Sequence, residues 1–355
     1  MRAALRNNTI SIPRIPRLRA EINDRRIHMR KIKWGVMGTA YIFERDTARG
    51  MQLADSCERT AIAGRSLEKA EQFREKYGFA RAYGSYAELL EDPEIEAVYI
   101  ALPNHLHFEW TIRALEHGKH VLCEKPLAPS RTEAEEMFRC AERNHVVLME
   151  AFAYQHSPYV AAIQREIASG AIGEIQYIEA ALITSDYVGT NIRMRRETLG
   201  GCTYDLGVYP LSFIQRMMGR APVRIHATAC FDDNSIDRYT TGVLEYEGGA
   251  KANFTCGMVL ATEKNLALDR FRIYGSKGAI LAQNFGFNAP GQLSYRRILN
   301  DGGDETITVD VPNNYFLEVD QMARIIAEGE APLVSPAFSV QLAGTVDGVL
   351  GEIGY

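Results

Sequence analysis

From residue 32 onward, short apolar runs alternate with stretches whose apolar positions recur at helical spacing, which predicts βαβ units around a parallel sheet. Strands are predicted at 32–37, 59–63, 97–102, 120–123 and 146–149, with helices near 42–54, 67–77, 85–91, 106–117 and 131–143. Right-handed crossovers bring the loops after the strands to one sheet edge, where open α/β folds bind ligands. After about residue 172 the period changes to two. Runs at 175–182, 223–229, 241–246, 250–258, 270–274 and 292–297 read as strands, punctuated by Glu247-Gly248-Gly249 and Gly275-Ser276-Lys277-Gly278. An antiparallel sheet with one solvated face follows, and helical patterns around 313–328 and 338–350 close the chain. The expected fold class is therefore α/β: a doubly wound parallel sheet over 31–150, then an α+β domain with a large, mostly antiparallel open sheet over 151–355.

Length supports two domains, because 355 residues exceed the roughly 250–300 that one hydrophobic core serves. A composition of 46% hydrophobic and 24% charged residues excludes disordered and fibrous chains. No apolar run approaches the ~20 residues of a membrane-spanning helix. The net charge of -5 conceals an asymmetry: residues 1–31 hold nine Lys and Arg against Glu21 and Asp24, a balance of +7, leaving -12 for the rest. An acidic body argues against a nucleic-acid binder. Residues 1–30 read as a basic extension, either disordered or upstream of a start at Met29, which leads directly into the first strand; an organelle-targeting segment is the competing reading. Cys57, Cys123, Cys140, Cys202, Cys230 and Cys256 are widely spaced and lack zinc-ligand spacing. They are expected to be free thiols of a cytoplasmic protein, with no metal site.

Candidate chemistry begins in the loop after the first strand, Gly38-Thr39-Ala40-Tyr41-Ile42. Glycine at a strand end lets the backbone approach a pyrophosphate, whose charge meets the N–H groups opening the next helix. If Gly38 opens the G-x-G-x-x-G fingerprint, Ala40 and Phe43 replace its other two glycines, so the loop alone fits a tight βα turn equally well. The second strand runs into Gly64-Arg65-Ser66. Donors there, in place of the acid that holds a free ribose 2′-hydroxyl, favour NADP over NAD. An exposed arginine ahead of a helix capped by Ser66 is the plainer alternative.

Two strand ends lead into Leu102-Pro103-Asn104-His105-Leu106-His107 and Cys123-Glu124-Lys125-Pro126-Leu127, and a later run reads Gly200-Gly201-Cys202-Thr203-Tyr204-Asp205-Leu206-Gly207-Val208-Tyr209. In this order, G-T-A-x-I, P-N-x-x-H, E-K-P-L and G-G-x-x-x-D-x-G-x-Y resemble the glucose–fructose oxidoreductase, inositol dehydrogenase and rhizopine-catabolism (Gfo/Idh/MocA) family, across residues 32 to about 345. Tyrosine at 209, where many members have histidine, is similar to the branch of the dimeric dihydrodiol dehydrogenases and NADP-linked xylose dehydrogenases. The resemblance implies a Rossmann domain that binds NADP, or NAD, through Gly38, Thr39, Ala40, Tyr41, Ile42, Arg65, Ser66, Leu102, Pro103, Asn104, His107, Glu124 and Lys125. It makes Lys125 the active-site lysine and places Tyr154, Asn191, Arg193, Asp205 and Tyr209 with it around the substrate. It also implies a homodimer or homotetramer formed through the second-domain sheet, and a C-terminal end that returns to the nucleotide domain. One departure is Gln155-His156-Ser157-Pro158, where the branch has Arg-Phe-His-Pro, so substrate identity does not carry over.

An ammonium at Lys125 would stabilise a developing alkoxide. Asp205 and Tyr209 are four apart and so share a helix face. A nearby cation is expected to lower the Tyr209 phenol toward working pH, making it the proton carrier, with Asp205 positioning; a half-buried core tyrosine is the plainer alternative. The expected function is hydride transfer between a nicotinamide and a secondary alcohol or hemiacetal carbon of a sugar, cyclitol or related polyol. Two alternatives remain open: an NAD-dependent glycosidase working by transient oxidation, and a non-catalytic sugar or nucleotide sensor.

Overall fold

The computed structural model describes residues 9–11, 30–187, 189–260, 267–282 and 288–355. Thr9–Ser11 forms a short strand, β1. The rest of the basic extension up to residue 29 lies outside the described residues. Six strands then build a parallel sheet: Ile32–Met37 (β2), Cys57–Ala63 (β3), Arg81–Tyr83 (β4), Ala97–Ile100 (β5), His120–Glu124 (β6) and Leu148–Ala151 (β7), in the order β4-β3-β2-β5-β6-β7. The connecting helices are Ala48–Leu53 (α1), Leu67–Tyr77 (α2), Tyr86–Glu91 (α3), His107–Glu116 (α4) and Arg131–Arg143 (α5).

The strands at 97–102 and 146–149 are corrected to 97–100 and 148–151. β5 ends early because Leu102-Pro103 turns away from the ladder. The predicted helix at 42–54 divides into a π-helical turn, Phe43–Thr47, and α1. Its apolar anchor, Phe43, is buried among Phe73, Tyr77, Phe79 and Tyr99, with the Tyr77 ring edge-on at 5.3 Å.

Helix Pro158–Ala168 (α6) leads into the second sheet. Its strands are Ile175–Ser185 (β8), Arg224–Phe231 (β9), Asp237–Glu245 (β10), Lys251–Leu260 (β11), Leu268–Gly275 (β12), Gly278–Ala282 (β13), Gly291–Leu299 (β14) and Asp304–Val311 (β15). The order is β1-β15-β14-β13-β12-β8-β11-β10-β9, antiparallel except where β8 meets β11 and β1 meets β15. Helix Val208–Met218 (α7) packs on β8 and β11, where Ile178, Ala180, Phe254 and Cys256 are buried. Helices Asn314–Glu328 (α8) and Pro336–Ile353 (α9) return to the first sheet's side, α8 against α1 and α9 against α5. Among the described residues, no helix is long and apolar enough to cross a membrane.

Candidate functional site

Strand order reverses between β2 and β5: β3 follows β2 on one side and β5 lies on the other, so the loops after β2 and β5 diverge and leave a crevice. A cleft of about 1130 Å³ begins there and extends to the second sheet. That volume exceeds the ~300–1,000 Å³ of a single small-ligand pocket, leaving room for a dinucleotide and a second molecule. Gly38 has φ of +111°, and a Cβ on it would lie 2.4 Å from the Ala101 carbonyl oxygen. Only glycine brings the two loops this close. Thr39, Ala40, Tyr41 and Ile42 line the cleft beside it.

Arg65 and Ser66 stand at the rim, with the Ser66 hydroxyl accepting from Lys69 N to cap α2. Lys69, absent from the sequence expectation, joins them: its Nζ donates to Thr39 O at 2.9 Å and it lines the same wall. A lysine in the first turn opposes the helix dipole and adds a cation to this wall of the cleft. Leu102, Pro103 and Asn104 form the opposite lip, and Asn104 Nδ2 donates to Leu199 O at 2.8 Å, joining the two halves.

Two expected contacts are corrected. His107 does not line the cleft: it is buried, with its ring nitrogens on Leu102 O (2.8 Å) and Pro126 O (2.7 Å), and so ties together the loops after β5 and β6. Burial pulls its pKa down. Tyr154 is also buried, its hydroxyl hydrogen-bonded to Ser212 Oγ at 2.6 Å, and it supports Tyr209 from behind with ring centroids 5.9 Å apart.

At the inner end of the cleft, Glu124 ends β6 and Lys125 follows it. Glu124 accepts from Tyr99 Oη at 2.5 Å, and burial raises its carboxyl. Lys125 Nζ donates to Asp205 O at 2.7 Å and lies 3.4 Å from Asp205 Oδ1. The turn beyond it is held by Glu150, buried at the end of β7, whose Oε1 accepts from Leu127 N at 2.9 Å. Asp205 arrives on a π-helical turn, Thr203–Gly207, that leads into α7. Despite burial, its carboxyl is held well below the usual range by Arg193, whose Nε donates to Oδ2 at 2.6 Å, and by Lys125. Arg193 and Asn191 line the cleft, but the Arg193 charge is committed to Asp205, and Asn191 Oδ1 caps the turn through Arg193 N.

Tyr209 also lines the cleft, with Lys125 Nζ 4.8 Å from its ring centroid. The expected lowering of its pKa is corrected: burial, then the charges of Glu124 and Asp205, push the phenol up. The cation sits over the ring face, and the charges of Glu124 and Asp205 disfavour the phenolate. A phenol so placed holds its proton at neutral pH and can donate it to an oxyanion. Arg45, also missed in the sequence, lines the cleft because the π-helical turn after Ile42 aims it inward.

Residues 32–152 match the family model described as an oxidoreductase family with an NAD-binding Rossmann fold, and residues 160–281 match the GFO/IDH/MocA C-terminal domain. The chain is 33% identical to D-xylose 1-dehydrogenase (NADP(+)) 2 of Haloferax volcanii, over 89% of this chain and 95% of that protein. It is 29% identical to trans-1,2-dihydrobenzene-1,2-diol dehydrogenase of Xenopus laevis, over 91% and 98%. Among solved structures it resembles KijD10, a 3-ketoreductase from Actinomadura kijaniata in complex with NADP and TDP-benzene, with a TM-score of 0.84, 29% identity, and coverage of 91% and 98%.

Proposed function

The chain belongs to the GFO/IDH/MocA oxidoreductase family, and from that premise we propose that it is an NADP-preferring dehydrogenase or reductase acting on a secondary alcohol or hemiacetal carbon of a sugar, cyclitol or related polyol. The convergence of Lys125, Asp205 and Tyr209 at the inner end of the cleft carries this reading, because it gathers an oxygen-binding cation and a protonated phenol in one place. The cradle fits a dinucleotide phosphate: Gly38 leaves the backbone bare, and Arg65 with Lys69 supplies cations at the rim. When bound, the nicotinamide supplies hydride chemistry. The protein then supplies positions and a proton.

Lys125 holds the substrate oxygen and offsets the charge that develops on it. Asp205, itself tethered by Arg193, sets where the ammonium points. Tyr209 donates its proton to that oxygen when a carbonyl is reduced, and accepts one when an alcohol is oxidised. The names of the xylose and dihydrodiol dehydrogenases support a neutral polyhydroxylated or diol substrate. We place cofactor binding in residues 31–150, substrate binding in 151–355 and a homo-oligomeric contact on the outer sheet face, where Tyr177 and Tyr274 stack exposed at 6.1 Å. Five of the six cysteines are buried, and all six are free thiols, which supports a reducing, cytoplasmic setting.

The test is a panel of pentoses, hexoses, inositols and diols assayed by NADP and NAD absorbance, repeated with Tyr209→Phe. On the best substrate kcat should fall by roughly 10²–10⁴ with cofactor affinity retained. Unchanged turnover in that variant would remove Tyr209 from the proton step.

A further inference from the structure

The turn that carries Asp205 has a back as well as a front, and the reaction as described uses only the front. Tyr204, one residue before Asp205, is 5% exposed and does not line the cleft. Its hydroxyl crosses to the nucleotide half, donating to Pro129 O at 3.1 Å in the loop that runs from Lys125 to α5. Lys125 crosses the same gap in the opposite direction, from Nζ to Asp205 O. Loop and turn are thus joined at two points, one in the site and one behind it.

The ring of Tyr204 is itself wedged. Tyr355, just past α9, meets it edge-on with centroids 5.6 Å apart. The Tyr355 hydroxyl donates to Gly200 O at 2.8 Å. Its ring lies 4.3 Å from the Arg196 guanidinium, which donates in turn to Ser235 O at 3.2 Å. A Cβ on Gly201 would stand 3.4 Å from Tyr355 Cε2, so the wedge also touches the start of the turn. Across the gap the loop is anchored by Leu127 N on Glu150 and by His107 on Pro126 O.

We propose that Tyr204 is a positioning residue for hydride and proton transfer: through Pro129 it sets the spacing between Lys125 and the turn bearing Asp205 and Tyr209. The inference rests on the reading of Lys125 and Tyr209 as the groups that hold the oxygen and move its proton. An ammonium has three N–H groups; two face Asp205, O at 2.7 Å and Oδ1 at 3.4 Å, and the third serves the substrate oxygen. A lysine on a flexible four-carbon stem follows the seam if it opens, but does not fix its width. A wedged phenol does, because its ring is rigid and only two torsions place its hydroxyl. The spacing matters because a misplacement of about 1 Å costs a reaction on the order of 10²-fold.

The experiment compares Tyr204→Phe, Tyr355→Ala and Tyr209→Phe with wild type in the full chain. Tyr204→Phe keeps the ring and its contact with Tyr355 and removes only the hydroxyl. In the cofactor-free protein, amide hydrogen exchange should rise about 10-fold over 125–130 and 200–206, the worth of one hydrogen bond, and stay unchanged around Gly38. On the best substrate of the panel, kcat per active site, counted by single-turnover amplitude, should fall about 10-fold. NADP affinity by fluorescence titration should be retained. The primary isotope effect with 4-deuterated NADPH should increase, because hydride transfer becomes the slow step. A merely structural role would lower the melting temperature and the number of active sites and leave the isotope effect alone. That pattern, or wild-type kcat and isotope effect in Tyr204→Phe, overturns the proposal; if Tyr204→Phe does not fold, Tyr355→Ala, which removes the wedge, carries the same test. If Tyr209→Phe keeps full turnover, the reading of the site falls instead.

Discussion

Arg65 is exposed at the cleft rim, two residues past the end of a strand whose counterpart in NAD-selective folds carries an acid. With Lys69 beside it, the rim presents two cations to a phosphate and no carboxylate to a 2′-hydroxyl. Arg65→Ala should therefore weaken NADP by about 10- to 100-fold, the worth of a charge-assisted hydrogen bond, while leaving NAD nearly unchanged. Fluorescence titration of both cofactors checks this, and equal loss for the two would mean that Arg65 does not read the extra phosphate. At this scale the sequence was informative where chemistry is unusual for its surroundings. Lys125 between Glu124 and Pro126, and Asp205 after two glycines, could be recognised because charged groups there have no simple packing purpose. His107 and Tyr154 were misplaced for the opposite reason. His107 is held by Pro126 as well as by nearby Leu102, and Tyr154 by Ser212; Pro126 and Ser212 are distant in sequence, so their burial could not be seen locally. The Tyr209 pKa was missed in the same way, since burial and the charge of Glu124, which comes from a separate strand, lead the causes that raise it.

Among the elements, the segment from Gly200 to Met218 carries the most constraint. Gly201 has φ of +97°, and a Cβ there would lie 1.8 Å from Asp237 Oδ1. Asp237, buried at the start of β10, accepts from Thr203 N at 2.8 Å, Thr240 Oγ1 at 3.1 Å and Cys202 Sγ at 3.2 Å. It thus anchors the turn that delivers Asp205 and Tyr209. Gly201→Ala should destabilise the protein by about 3 kcal/mol, through positive-φ strain plus the displaced carboxylate, and should lower kcat with it. A melting temperature equal to that of wild type would show that the turn relaxes without cost. Strong periodicity made most strands legible, and β2 matches its expected bounds. The sequence reading omitted β4, β13 and β15, and also β1, which falls in the stretch read as a basic extension. β4 is a three-residue strand at the sheet edge, β13 follows β12 across a two-residue turn, and β15 carries acids at three of its eight positions. The two π-helical turns were invisible because one inserted residue shifts a helical pattern too little to register over a few positions.

For the molecule as a whole, buried acids at the meeting of the two halves couple stability to pH. Burial raises Glu150 to about 7 from an ordinary value near 4.5. As pH rises between those values the unfolded chain loses its proton first, so the native state binds more protons and stability falls across that window. Glu124 and Glu318 are shifted in the same direction. Glu150→Gln keeps an acceptor for Leu127 N and removes the titration. Calorimetry should find a smaller loss of stability between pH 5 and pH 8 in that variant than in wild type; identical slopes would remove Glu150 as a source.

The division of labour across the cleft has an evolutionary consequence. The cradle around Gly38 follows a strand of the first sheet, while Asn191, Arg193 and Tyr209 come from the second half of the chain and line the same cleft. If the second half holds the substrate as proposed, that wall can drift through new side chains, and new specificities, without disturbing the nucleotide-binding half, provided the seam at Asn104–Leu199 and Lys125–Asp205 stays intact. Selection for a new substrate therefore acts on one half at a time, with the handful of residues at the seam as its inherited constant.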